Sequence, residues 1–547
     1  MGEWYGHRTH STPGKGYEVV AAAIRAEGVD TLFGLLGNTN LALAGVLHGH
    51  GVRFVGTRHE TGVLSLAAGY GWASGRPAAC TVTHGPGLSN ALTGLTSAVR
   101  DRAPVVLLVG DIRTEPVWSA QRADHSAMVA WTGAGFVDCD RPGRLVAAVA
   151  EGFRQAVARR RPVVVNLRAD LLEGPAAEQE PAGPSPREEP PSPPEPEAVQ
   201  RACRILAAAD RPLILAGRGA LWSGAGPALR ELARRSGALL ATSLPAKGLF
   251  LGDPFDLGVC GGYSTAATRE LVAGSDVVLA VGVGLNGYTT DKGTLTGGAT
   301  IVHCDLFPRG DADVAVRGDA GATAQALLAS VEPMGRAGRR TADIAATVTA
   351  AREFTDGADT GGLDPRAVLR AVDRALPPDR QVVVDVGHFT TFPSQQLTVQ
   401  EGRFLPALGF ASVGLSIATG AGAALGRDAP TLVVVGDGGA LMSLGELETL
   451  SRLGLPVTVL VLNDRAYGAE IHHLRRHGLP EELALFPEAD LAGVARALGM
   501  PAATLREPAD LGRLADLLAG QGPVLVDARV TRSVVADKFA TQAKAVR

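Results

Sequence analysis

The sequence predicts an α/β protein built from three doubly wound, parallel-sheet domains. Length is the first reason: 547 residues, at roughly 100–200 residues per domain, make about three or four domains. The second is a recurring pattern. Short Val-rich runs that do not alternate apolar with polar residues fall in three blocks, separated by helical periodicity. Such runs suit parallel strands covered on both faces. The third is composition. With 69 Gly and only 5% aromatic residues, the cores must rest on Ala, Val and Leu, with tight turns between them.

In the first block, 31–36, 54–57, 79–83, 105–109 and 163–167 read as strands. In the second, 213–216, 277–281 and 300–304 do so. In the third, 382–386, 432–435, 457–462 and 524–528 do so. Residues 174–198, rich in Pro and Glu, form a semi-extended linker. A weaker stretch, 332–364, marks a second boundary. The expected domains are therefore 1–173, 199–331 and 365–547.

Composition also excludes. The net charge of −4 carries no basic excess for nucleic acid and no polybasic tract for a membrane surface. Five scattered cysteines, with no CxxC or Cys/His cluster, suggest neither zinc nor a disulfide framework. A cytoplasmic setting is expected, since MGEWYGHRTH lacks the apolar core of a signal peptide. Residues 404–426 are uncharged and long enough to span a bilayer. Their many small residues favour instead a buried helix and turn, pressed against another element or a ligand.

The strongest chemical signal is LVVVGDGGALMSLGELETLSRLGLPVTVLVLNDRAYGAE. One strand delivers Gly436, Asp437, Gly438 and Gly439. The next ends at Asn463 and Asp464, the latter 27 residues after Asp437. Loops at strand C-terminal ends are where open α/β sheets bind ligands. Two carboxylates there suit a hard divalent cation, and the glycines let phosphate oxygens reach main-chain N–H groups. GDG alone is an ordinary strand-to-turn signal; the Asn-Asp pair at this spacing makes it specific.

This pattern resembles the diphosphate–metal motif of thiamine-diphosphate enzymes, most closely the acetolactate synthase and pyruvate decarboxylase superfamily. The resemblance covers nearly the whole chain. It implies pyrimidine-binding, central and diphosphate-binding domains, in that order, with thiamine diphosphate and Mg²⁺ as cofactors. It implies Asp437, Asp464 and the carbonyl of Ala466 as metal ligands; many members carry Asn where this chain has Asp464. His388 would contact the diphosphate. ASVGLSIATGAG matches the family pattern GSMGxALPAAIG in part. Val413 would support the bent cofactor, and Ala411 would offer its carbonyl to the exocyclic amine.

A second segment runs from Thr57-Arg58-His59-Glu60 to the loop Gly85-Pro86-Gly87. On composition, Glu60 is a surface charge opening a helix. The resemblance implies that it contacts N1′ of the aminopyrimidine. A carboxyl in apolar surroundings can share a proton at that nitrogen. In relatives this glutamate and the GDG segment meet across a subunit interface, which implies a homodimer or homotetramer.

Substrate-side candidates are Asn38, His84 and Gln121. Asn38 stands where decarboxylating relatives often carry Asp or Ser. It can bond a carboxylate or carbonyl but cannot donate a carboxyl proton. His84 replaces a frequent Ser, and Gln121 resembles a pocket Gln of acetolactate synthases. His84 reads equally as a loop histidine bonded to main chain. His472 and His473 read as solvated helix residues.

Gly282-Val283-Gly284-Leu285-Asn286-Gly287, with Asp305 farther on, spells a weak dinucleotide fingerprint. By resemblance the central domain holds FAD in acetolactate synthases and is empty in many relatives; here FAD stays open. The expected function is a carboligase or lyase that decarboxylates a 2-oxo acid and passes the acyl carbon to a second carbonyl. The alternatives are a decarboxylase that protonates instead, or a silent nucleotide-binding regulatory homologue. Fold alone does not choose among them.

Overall fold

The computed structural model describes residues 14–112, 119–181, 183, 192–332 and 338–544. Residues 1–13, 113–118, part of the Pro/Glu-rich linker, 333–337 and 545–547 lie outside them. The chain divides into two compact units. One comprises Met1–Arg187, Ala407–Asp428 and Ser443–Leu453; the other comprises Glu188–Pro406, Ala429–Met442 and Gly454–Arg547.

Eighteen strands among the described residues form three all-parallel sheets of six. The first contains β1 (Thr31–Gly34), β2 (Arg53–Gly56), β3 (Ala78–Val82), β4 (Val105–Asp111), β5 (Gly135–Cys139) and β6 (Val163–Arg168), in the order β2-β1-β3-β4-β6-β5. The second contains β7 (Pro212–Ala216), β8 (Leu239–Thr242), β9 (Asp256–Val259), β10 (Val277–Val281), β11 (Thr300–Asp305) and β12 (Val314–Arg317), in the order β12-β11-β10-β7-β8-β9. The third contains β13 (Gln381–Val384), β14 (Phe404–Pro406), β15 (Thr431–Gly436), β16 (Val457–Asn463), β17 (Ala502–Leu505) and β18 (Val524–Arg529), in the order β14-β13-β15-β16-β18-β17.

The first and third sheets thus share one strand order. Each reverses direction of build between its first and third strands. Loops leaving those two strands frame a crevice at the strand C-terminal ends, the usual ligand position in such sheets. The expected strands all form, with ends moved by a few residues. β5, β8, β9, β12, β14 and β17 were not anticipated. All but β8 lie at sheet edges, where one side is uncovered and the apolar run weakens; β12, for example, buries only one residue of four.

In the first unit, helix Glu60–Ser74 lies against helix Ser416–Gly426, with backbones close enough that only small residues fit. A Cβ on Gly422 would collide with the Leu66 carbonyl, and one on Gly69 with the Thr419 carbonyl. This accounts for the uncharged 404–426 segment as β14 followed by a buried helix. Among the described residues no helix is long and apolar enough to cross a membrane.

One reading in the second unit is corrected, and the weakness of the glycine fingerprint is explained. The 332–364 stretch contains a helix, Ala342–Ala350, capped by Thr341. Its Ile344 and Val348 pack on the core cluster that contains Leu213, Val278 and Ala280, so this part of the expected linker is docked structure. In the glycine fingerprint, Gly282 takes φ +58° and a Cβ there would strike the Ala220 N. That glycine permits β10's exit loop to approach helix Arg218–Trp222. The following 287–299 stretch is a chain of hydrogen-bonded turns rather than a helix, so the fingerprint lacks the helix that gives it a phosphate site.

Candidate active site

Two sets of polar residues occupy sheet C-terminal ends, one in each unit. In the second unit, β15 delivers Asp437 and β16 delivers Asn463 and Asp464. The two adjacent residues of the pair do different things. Asn463 turns into the sheet, where its Nδ2 donates to Asp527 Oδ1 at 2.8 Å. Asp464 stays in the loop, and Arg465 after it takes φ +57°. Ala466 is buried and pairs with Leu485 across an isolated bridge.

Asp437 is buried. Burial, then the charge of Asp464, push its carboxyl up to about 7, opposed by the N–H groups of Gly438 and Arg465. Burial pushes Asp464 up to about 6, against Arg532 and Arg465. Such a pair is costly to ionise without a cation. Among the described residues no three His, Cys, Asp or Glu side chains cluster as a metal site. Two carboxylates and a main-chain carbonyl are a different donor set, all oxygen, matching a hard divalent cation that retains waters or phosphate oxygens. The residues fit the implied metal and diphosphate in this respect.

Around the pair, Gly436 lies under the Phe389 ring and Gly438 under the Tyr467 ring. His388 follows β13 and is buried. Its Nε2 accepts the Ala536 N–H at 3.0 Å, and burial followed by His472 lowers its pKa to about 3. A neutral ring with one nitrogen already engaged has only Nδ1 left for a ligand. His388 and His472 both pack on Phe539, so His472 is not the solvated residue expected. Beside Tyr467 a cavity of about 290 Å³ is lined by Glu470, His473, Leu474, His477, Leu479, Leu483 and Ala484. Glu470 and His473 are exposed at its open side, so His473 is the solvated helix residue expected.

In the first unit, Glu60 opens helix Glu60–Ser74 and is buried, with Oε2 accepting from Asn90 Nδ2 at 3.1 Å. The surface-charge reading is therefore wrong. Asn38 follows β1, His84 follows β3, and Thr83 links them. The Thr83 hydroxyl reaches Asn38 Oδ1 at 3.4 Å, and the Thr39 and Thr83 hydroxyls lie 3.0 Å apart, each 3.4 Å from His84 Nδ1. Burial, with His125 nearby, lowers the His84 pKa against the pull of Asp111. Gln121 meets the same loop: Gly85, at φ +59°, has its Cβ direction filled by the Gln121 carbonyl. Ala411 holds φ +55°, a left-handed conformation that glycine adopts freely and alanine adopts under strain. Val413 is half-buried nearby in sequence.

A three-sheet α/β protein with a glycine-flanked carboxylate at the switch point of its third sheet, and a second on the adjacent strand end, suits a diphosphate-bearing cofactor. Family comparison makes this specific. Residues 14–128 match the N-terminal binding domain of thiamine pyrophosphate enzymes, 199–327 the central domain and 385–528 the C-terminal binding domain. The chain belongs to the thiamine pyrophosphate enzyme family. It is 33% identical over 515 residues to a protein of Pseudomonas aeruginosa named "Probable 2-ketoarginine decarboxylase", with 90% of each chain covered. It is 30% identical to the acetolactate synthase large subunit of Parasynechococcus marenigrum, covering 93% of this chain and 86% of that one. It is 27% identical to the sulfoacetaldehyde acetyltransferase of Castellaniella defragrans, covering 90% and 89%. The chain is accordingly a thiamine-diphosphate-dependent enzyme of 2-oxo acid chemistry.

Proposed function

We propose that the protein decarboxylates a 2-oxo acid and transfers the acyl carbon to a second carbonyl compound, as an acetolactate synthase-like carboligase. The observation that supports this most is the pair of carboxylates on adjacent strand ends, Asp437 buried and Asp464 half-buried, with Ala466 two residues beyond. In this reading those three groups hold Mg²⁺ on the cofactor diphosphate. When bound, thiamine diphosphate supplies a carbon nucleophile and accepts the electrons released on C–C cleavage. Glu60 holds a proton at N1′, Ala411 accepts from the exocyclic amine and Val413 supports the bent cofactor. His388 lies along the diphosphate. Asn38, His84 and Gln121 orient the 2-oxo acid, and a second copy of the chain completes each site.

A second reading is decarboxylation followed by protonation. Two observations favour it: Glu470 and His473 line the open depression beside Tyr467, and the Pseudomonas relative is named a decarboxylase. Calorimetry with thiamine diphosphate, with and without Mg²⁺, tests the cofactor assignment; absence of metal-dependent binding overturns it. Product analysis after feeding 2-oxo acids separates the two readings. A 2-hydroxyketone or 2-hydroxy-2-acyl acid supports ligation, whereas an aldehyde alone supports the second.

A further inference from the structure

We propose that His125, buried at the start of helix His125–Thr132, is a positioning residue that holds the His84–Gly87 loop through the Gly85 N–H. The inference rests on the reading that this loop borders the active site.

The hydrogen bonds leave one arrangement. Asn166 Nδ2 lies 2.9 Å from Asp111 Oδ2 and 2.8 Å from Asp138 Oδ1. Facing two carboxylates, it must be the amide nitrogen, so the other amide atom is the acceptor. That oxygen lies 2.9 Å from His125 Nδ1, which must therefore carry hydrogen. Nε2 is then bare, and it accepts the Gly85 N–H at 3.2 Å. Asp111 Oδ1 also lies 3.9 Å from Nδ1. The two carboxylates thus set the Asn166 orientation, Asn166 sets the histidine tautomer, and the tautomer supplies the acceptor that Gly85 needs.

Gly85 has little freedom to find another partner. Its φ of +59° and the Gln121 carbonyl against it pin the turn. His84, one residue earlier, is buried against Thr39 and Thr83, so a shifted Gly85 moves the His84 ring.

Two amide variants separate positioning from bulk packing. The glutamine Oε1 reaches about as far as the histidine Nε2; the asparagine side chain reaches only the Nδ1 position. His125→Gln is expected to keep slow hydrogen exchange at Gly85 and a kcat within ~3-fold of wild type. His125→Asn is expected to speed that exchange and lower kcat by ~10–100-fold, with KM changed less, as for a misplaced reacting group. Equal behaviour of the two variants, or kcat that simply follows Tm across them, overturns the proposal. Exchange is measured on the protein without substrate. A wild type inactive on every 2-oxo acid would therefore count against the functional reading and leave the loop test standing.

Discussion

The Glu446 carboxylate accepts the main-chain N–H of Arg58 at 3.1 Å, from 388 residues away in the chain. It also bonds the His59 N–H, and its Oε2 accepts the Thr449 hydroxyl at 2.8 Å. A remote carboxylate thus fixes the backbone leading into the helix that begins with Glu60, whose N-cap is the His59 ring accepting the Thr61 N–H at 3.1 Å. Gly62 leaves the space that a Cβ would take from Glu446. Replacing Glu446 by Leu should lower stability by about 1–3 kcal/mol, because the Arg58 and His59 donors lose their partner inside the protein. Chemical denaturation measures this. A stability unchanged within about 0.5 kcal/mol would show that these bonds contribute nothing.

Glu446 also predicts a pH dependence. Burial raises its pKa in the folded protein above the ordinary carboxyl value, despite three hydrogen bonds and Arg58. A raised pKa means the folded state binds the proton more tightly than the unfolded state. The associated stability is fully present below the unfolded value and is lost as pH rises through the folded one. Glu446→Gln, which cannot ionise, should lose less stability than wild type as pH rises above the ordinary carboxyl value. Parallel stability curves for the two proteins would refute the assignment.

Glu60→Gln should bind thiamine diphosphate nearly as well as wild type and turn over far more slowly. The amide keeps the shape and the Asn90 contact but cannot share a proton at N1′. Turnover within about tenfold of wild type, or about 1.4 kcal/mol, would remove Glu60 from its proposed role.

Asp437→Ala should abolish metal-dependent cofactor retention. It leaves Asp464 alone, and one carboxylate with one carbonyl is too few protein ligands to anchor Mg²⁺. Cofactor affinity equal to wild type with saturating Mg²⁺ would end the metal-site proposal. The flavin absorbance of the same samples shows whether FAD is present.

Gly422→Ala tests the contact between helices Glu60–Ser74 and Ser416–Gly426. The added methyl meets the Leu66 carbonyl of the facing helix, and backbone cannot rotate away as a side chain can. Destabilisation of about 1–3 kcal/mol is expected. An unchanged Tm would mean that the helices separate at little cost.

Residues close in sequence carried most of what was legible in advance. The strand-ending Val runs, GDG with the Asn-Asp pair, and the 57–60 and GPG segments are local patterns, and each places its loop by strand or helix periodicity. Central strands such as β16, all seven residues buried, announce themselves because both faces are covered; edge strands such as β17 do not. Tertiary structure decided the rest, for reasons that no local pattern encodes. It turned Asn463 inward to Asp527 and left Asp464 in the loop. It buried Glu60 with its carboxylate on Asn90. It supplied Glu446, Asn166 and His125 as partners, whose roles arise only from which donors and acceptors folding brings within about 3 Å.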